Sequence, residues 1–155
     1  MADTPGQPAA RIVVGVDGSA PSKLALRWAD YLARAMGGAQ IRAVIAWHSP
    51  GTYGWPSYAP EDGNPEAAAE RCLSQAVDEV FATGRPLGMD LVVREGGAAK
   101  VLLEQSRDVS MLIVGSRGHG GFAGLLLGSV SMACAEHAGC PVLVVHGAAP
   151  PPRPH

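Results

Sequence analysis

In Ile12-Val13-Val14-Gly15-Val16-Asp17-Gly18-Ser19 an apolar, β-branched run stops at a turn-and-cap cluster, the pattern of a strand that ends in a tight turn before a helix. A helical period follows at once: Leu24, Ala25, Trp28, Ala29, Leu32 and Met36 recur at steps of three and four, and Gly37-Gly38 ends the run as a C-terminal cap does. The alternation continues along the chain. Ile41 to Trp47 reads as a second strand, and His48 to Gly63 as a long loop with three aromatics, Tyr53, Trp55 and Tyr58. Asn64-Pro65-Glu66 opens another helix with an N-cap, a first-position proline and an acid in the first turn. Its buried stripe is Leu73, Ala76, Val77, Val80 and Phe81, and Thr83-Gly84 closes it. Met89 to Arg94 reads as a third strand, Ala98 to Arg107 as a short helix with Val101, Leu102 and Gln105 on one side, and Met111 to Val114 as a fourth strand. A helix near Ser129 to His137 and a strand from Val142 to Val145 complete the set, the strand entered through Cys140-Pro141, where the pre-proline position favours extended backbone. Strands separated by helices of this length build right-handed βαβ units, and near-continuous apolar strands belong to a parallel sheet covered on both faces. The fold class read from the pattern is doubly wound α/β.

Composition agrees and excludes several functions. At 155 residues the chain fits one domain, assigned to residues 11–147 between an N-terminal tail, 1–10, and a Pro-rich tail, 148–155. The net charge is −2 and no cluster of Lys or Arg occurs, which argues against a nucleic-acid footprint. Cys72, Cys134 and Cys140 have no C-x-x-C spacing, so neither a disulfide framework nor a structural zinc site is expected, and a reducing compartment fits. The sequence opens without a basic region followed by an apolar one, and no apolar run reaches the roughly 18 residues of a membrane span. A cytoplasmic protein with no membrane partner is the expectation.

In an open α/β sheet the ligand crevice lies beyond the carboxyl ends of the strands, where the strand order reverses. The two most Gly-dense strand ends are Gly15-Val16-Asp17-Gly18-Ser19 and Gly115-Ser116-Arg117-Gly118-His119-Gly120-Gly121, and they should be neighbours. Gly115, Gly118, Gly128 and Ser129 stand in the order G-x2-G-x9-G-S immediately before a helix. Gly115 and Gly118 let backbone approach a ligand, Gly120 and Gly121 let the loop fold back, and Gly128-Ser129 would present free N–H groups and a hydroxyl at the helix N-terminus, a site for a polyphosphate. Arg117 and His119 could add positive charge. Asp17 reads either as a ligand for hydroxyls or as a turn cap, and Ser129 either as a phosphate contact or as the helix cap.

These motifs resemble the ATP-binding branch of the universal stress protein family, whose G-x2-G-x9-G-[ST] pattern is matched by Gly115, Gly118, Gly128 and Ser129; Leu127-Gly128-Ser129-Val130-Ser131 and Cys140-Pro141-Val142-Leu143-Val144-Val145 also match, over residues 11–147. The resemblance implies a Rossmann-like, five-stranded parallel sheet of order 3-2-1-4-5 with helices on both faces. It implies ATP as cofactor, with magnesium arriving on the nucleotide. Carried onto this chain, Asp17 would meet ribose hydroxyls or a metal-bound water, and the backbone of Trp47, where the family carries a small aliphatic residue, would pair with adenine. Gly15, Val16, Ser116 and His119 complete the nucleotide-binding set, with Ser129, Val130 and Ser131 at the phosphates through N–H and hydroxyl groups. The last strand is an apolar edge that needs covering, and a homodimer through it is expected, as is common in the family.

Other signals are weaker. Gly118-His119-Gly120-Gly121-Phe122-Ala123 fits a permissive dinucleotide fingerprint but follows the fourth strand. No Walker motif or nucleophile elbow is present, and the histidines share no metal-ligand spacing. The function read here is a regulatory, ATP-binding stress-response module, with slow ATP hydrolysis, cyclic-AMP binding and a nucleotide-free interaction role as alternatives.

Overall fold

The computed structural model describes residues 9–49, 63–117 and 127–153. Its elements run β1 (Arg11–Gly15), α1 (Ala20–Ala35), β2 (Gln40–Trp47), α2 (Pro65–Val80), β3 (Asp90–Glu95), α3 (Ala98–Gln105), β4 (Met111–Gly115), α4 (Ser129–His137) and β5 (Val142–Val145). The strands form one five-stranded sheet of order β3-β2-β1-β4-β5, every pair parallel. This is the order expected from the sequence.

Successive side chains of a strand point to opposite faces, and that alternation divides the core in two. Ile12 and Val14 of β1 join Ile41 and Ile45 of β2 beneath α1 and α2, where Leu26, Ala29, Leu73 and Val77 are buried. Val13, Val44, Leu112 and Val114 look the other way, toward Val101 and Leu102 of α3 and Cys134 of α4. A strand buried on both faces has no polar alternation to show, which is why β1 and β4 read as continuous apolar runs.

The caps account for the helix limits. Ser19 caps α1, its hydroxyl accepting from Ser22 N–H, and Gly37 and Gly38, at φ 84° and 100°, turn the chain out of the helix. Asn64 Oδ1 accepts from Ala67 N–H at 3.1 Å at the start of α2, with Pro65 in the first position as expected. Two limits differ from the sequence reading. Helix α2 ends at Val80, not at Thr83-Gly84: Phe81 is its C-cap, packed against the core, and Gly84 N–H closes a separate turn onto Phe81 O at 2.9 Å. Helix α3 ends at Gln105, with Ser106 as a buried C-cap whose hydroxyl donates to Leu103 O. Gln105 is half-buried and is not an apolar stripe position, because its Oε1 accepts from Arg42 Nη1 of β2 at 3.3 Å. Among the described residues, no helix is long and apolar enough to cross a membrane.

Candidate functional site

Strands β1 and β4 are neighbours, and α1 leaves the end of β1 on one face while α4 follows β4 on the other. The reversal of strand order therefore falls between their carboxyl ends, where Gly15–Ser19 and Gly115–Arg117, the described part of the second Gly-dense end, leave the sheet.

The end of β1 is a tightly bonded turn. Val16 N–H continues the ladder to Val44 O at 2.8 Å. Asp17 Oδ1 accepts from the Ser19 N–H at 2.9 Å and from the Ser19 hydroxyl, while Asp17 N–H donates to Ser22 Oγ at 3.3 Å. Asp17 is thus a turn cap in its own right. Gly18 takes φ 83°, and a Cβ there would lie 2.7 Å from Cys72 Sγ, so the thiol of α2 forms the floor of the turn. Burial pushes the Cys72 thiol pKa up and the Asp17 charge adds to the rise, with Lys23 opposing.

The end of β4 is pinned to the start of α4. Ser116 is buried; its N–H donates to Val145 O at 2.9 Å, and its carbonyl accepts from Gly128 N–H at 2.7 Å. The Ser131 hydroxyl, also buried, lies 3.0 Å from both Ser116 O and Gly128 O. These bonds correct three sequence readings. The cap of α4 is Gly128, at φ −73° and ψ 168°, so Ser129 is the first helical residue, with an exposed side chain, and not the cap. Gly128 N–H is engaged by Ser116. The Ser131 hydroxyl is spent on backbone carbonyls inside the protein, which leaves its N–H, with those of Ser129 and Val130, in the helix's first turn, where no intrahelical acceptor exists.

The glycines separate into two kinds. A Cβ on Gly15 would stand 2.9 Å from Leu102 of α3, and one on Gly115 would stand 2.7 Å from Pro21 Cβ and 3.0 Å from its carbonyl carbon. At Gly115 the atoms met include Pro21 backbone, so the packing of α1 on β4 itself demands glycine there, whereas at Gly15 the terminal methyls of Leu102 can shift to make room. At Gly128 the nearest atom to an added Cβ is Ser116 O at 3.5 Å, an ordinary contact, and its φ is open to any residue. Nothing within the described protein demands glycine there.

Trp47, at the end of β2, packs its indole against the α1–α2 side of the core, and its carbonyl accepts from Gly96 N–H at 2.7 Å. Arg117 is exposed. Gly118, His119, Gly120 and Gly121, and the aromatics Tyr53, Trp55 and Tyr58, lie outside the described residues. Among the described residues no group of three His, Cys, Asp or Glu side chains could hold a metal ion. Cys72 and Pro21 are the residues that sequence reasoning missed. Each lies in a helix and touches a strand end remote in sequence, and no local pattern signals such a contact.

The family model described as the universal stress protein family matches residues 9–146. The chain is 35% identical to the universal stress protein Rv2624c of Mycobacterium tuberculosis over 144 residues, 90% of this chain and 50% of that protein. Identity to the universal stress protein Rv1996 of the same organism is 36% over 141 residues, 88% of this chain and 44% of that one. The chain therefore spans about half the length of these curated relatives. Among solved structures, UspA from Lactobacillus plantarum superposes with a TM-score of 0.71 at 22% identity, covering 91% of this chain and 100% of that chain, a likeness of fold. A universal stress protein in complex with cAMP superposes at 0.66 and 28% identity, covering 90% and 98%.

Proposed function

The chain belongs to the universal stress protein family, and from that premise we propose that it binds an adenine nucleotide, ATP, between the ends of β1 and β4, as a regulatory stress-response module. The observation that carries the reading is Gly128. It is a glycine on which the described residues around it make no demand, at the N-terminus of a helix whose first N–H groups are unspent by the helix itself, where an anion is favoured by both dipole and donors. A phosphate lying close against the Gly128 Cα would supply the missing demand.

In this reading the N–H groups of Ser129, Val130 and Ser131, with the exposed Ser129 hydroxyl, take the phosphates, and Gly118 and His119 belong to the same cradle by the motif. Ser116 positions the cradle through its N–H and carbonyl, which both bond backbone, and its hydroxyl is the group left for the ligand. Gly15 and Val16 set the strand end beside the ribose, and Asp17 accepts from the ribose hydroxyls or from a metal-bound water. The backbone of Trp47 lies at the adenine end. Magnesium would arrive on the phosphates, and Asp17 is the carboxylate among the described residues of this site that would meet its water shell. The proposal is one of binding in the cytoplasm, with no chemical step. A homodimer through β5, whose outer edge has no strand neighbour among the described residues, belongs to the same proposal.

Cyclic AMP is a second ligand to weigh, because a structural neighbour at 28% identity is a universal stress protein in complex with it. Calorimetric titration of nucleotide-stripped protein with ATP and with cyclic AMP, with and without magnesium, separates the readings. We expect ATP to bind, and Gly128→Ala to unfold like the wild type while losing at least about tenfold in ATP affinity, roughly 1.4 kcal/mol. Tighter binding of cyclic AMP would replace ATP as the ligand. Failure of both nucleotides to bind the wild type would overturn the proposal in favour of a nucleotide-free interaction protein.

A further inference from the structure

Among the described residues strand β5 pairs with β4 alone, and an apolar strand with an unpaired edge invites a second strand. Leu112 N–H donates to Pro141 O and Ser116 N–H to Val145 O, both at 2.9 Å, so the odd-numbered residues face β4. The backbone groups of Val142 and Val144 then point outward, because strand residues alternate.

Beside that edge lies a groove of about 160 Å³, walled by Trp28 of α1 and by Leu143, Val144, Val145 and His146. Trp28 meets Tyr31 edge-on, with ring centroids 5.8 Å apart and planes at 84°. The remaining lining residue is Ala149, which comes from the segment after β5. The chain reaches it through Gly147, whose φ of 69° is a left-handed conformation that costs other residues energy. Pro150, Pro151 and Pro152 follow, and Pro151 is half-buried between exposed neighbours. A proline run has no N–H to offer a ladder, which suits it to lie along an edge without extending it.

We propose that residues 147–153 are a guard for the β5 edge: the Gly147 turn brings the exposed Ala149 to the rim of the groove that Trp28 walls, and the proline run after it shields the outward groups of β5, so that a second copy of β5 pairs there only when the segment is displaced. The guard goes beyond the nucleotide reading and is independent of it, and it sets how tightly the dimer forms.

The test compares self-association of the whole chain, of the chain lacking residues 147–155, and of Gly147→Val, by sedimentation equilibrium. Val144→Pro in the shortened chain removes one outward N–H of β5 and leaves the bonds to β4 intact. Circular dichroism verifies that each variant folds. We expect the shortened chain and Gly147→Val to self-associate at least about tenfold more tightly than the whole chain, and Val144→Pro to reverse the gain. Equal or weaker association without the segment overturns the proposal. A gain that Val144→Pro leaves in place also overturns it, by locating the new contact away from the β5 edge. Nucleotide titration of the same variants keeps a failure here apart from a failure of the ATP reading.

Discussion

Ser131 places a hydroxyl where solvent does not reach, within 3.0 Å of two carbonyls that lie 12 residues apart (128 − 116), Ser116 O and Gly128 O. Removing it takes one donor from each carbonyl, while Gly128 O keeps the Met132 N–H and Ser116 O keeps the Gly128 N–H. We expect Ser131→Ala to cost about 1–2 kcal/mol, read as a lower urea midpoint with an unchanged slope. The position also illustrates how far a motif can be read. The pattern ending in Gly128-Ser129 located a helix start correctly, because small and polar residues signal caps. It left open which groups the protein itself consumes, since that depends on where a hydroxyl points after β4 and α4 are joined. Asp17 teaches the same lesson, with its carboxylate already holding Ser19.

At the scale of elements, the contact between the first turn of α1 and the last residue of β4 sets the width of the site. Pro21 sits on Gly115 so closely that an added methyl must move helix or strand, since the atoms met at 3.0 and 3.1 Å are Pro21 backbone. Gly115→Ala is expected to destabilise by about 1–3 kcal/mol, as overpacking does, and to lower the melting temperature by roughly 2–4 °C per kcal/mol for a chain of this size. Scanning calorimetry checks it. The contrast with Gly128→Ala is the informative part: one glycine fails in stability and the other in binding. The strands and helices were legible in the sequence because β-branched runs, Ser19, Asn64-Pro65 and Gly37-Gly38 are local signals. The end of α2 was not, because Phe81 leaves the helix to pack against the core, and tertiary packing overrides local pattern.

Across the whole molecule, the strand order was legible from the alternation of elements together with the family resemblance, whereas the contact of Cys72 with Gly18 joins parts of the chain that no local pattern relates. The two-sided core also makes stability depend on pH. Cys134, fully buried beneath α4, has its pKa pushed up from 9.0 to about 11, first by burial and then by nearby Cys140. The unfolded chain therefore loses this proton at lower pH than the folded one, so stability is at its fullest below pH 9 and falls as pH rises toward 11. Denaturant midpoints at pH 8, 9 and 10.5 should decline in that order, and Cys134→Ala should remove part of the decline. The strand order carries one more consequence, for the chain as the ribosome delivers it. Central strand β1 is made first, yet its partner β4 begins 96 residues after β1 ends (111 − 15). At about 5–20 residues per second, β1 waits roughly 5–20 s with one side unpaired. Throughout that interval the newborn half-sheet ends in an open strand that will later lie at the centre of the fold, and a chaperone protecting this protein would have most to do then.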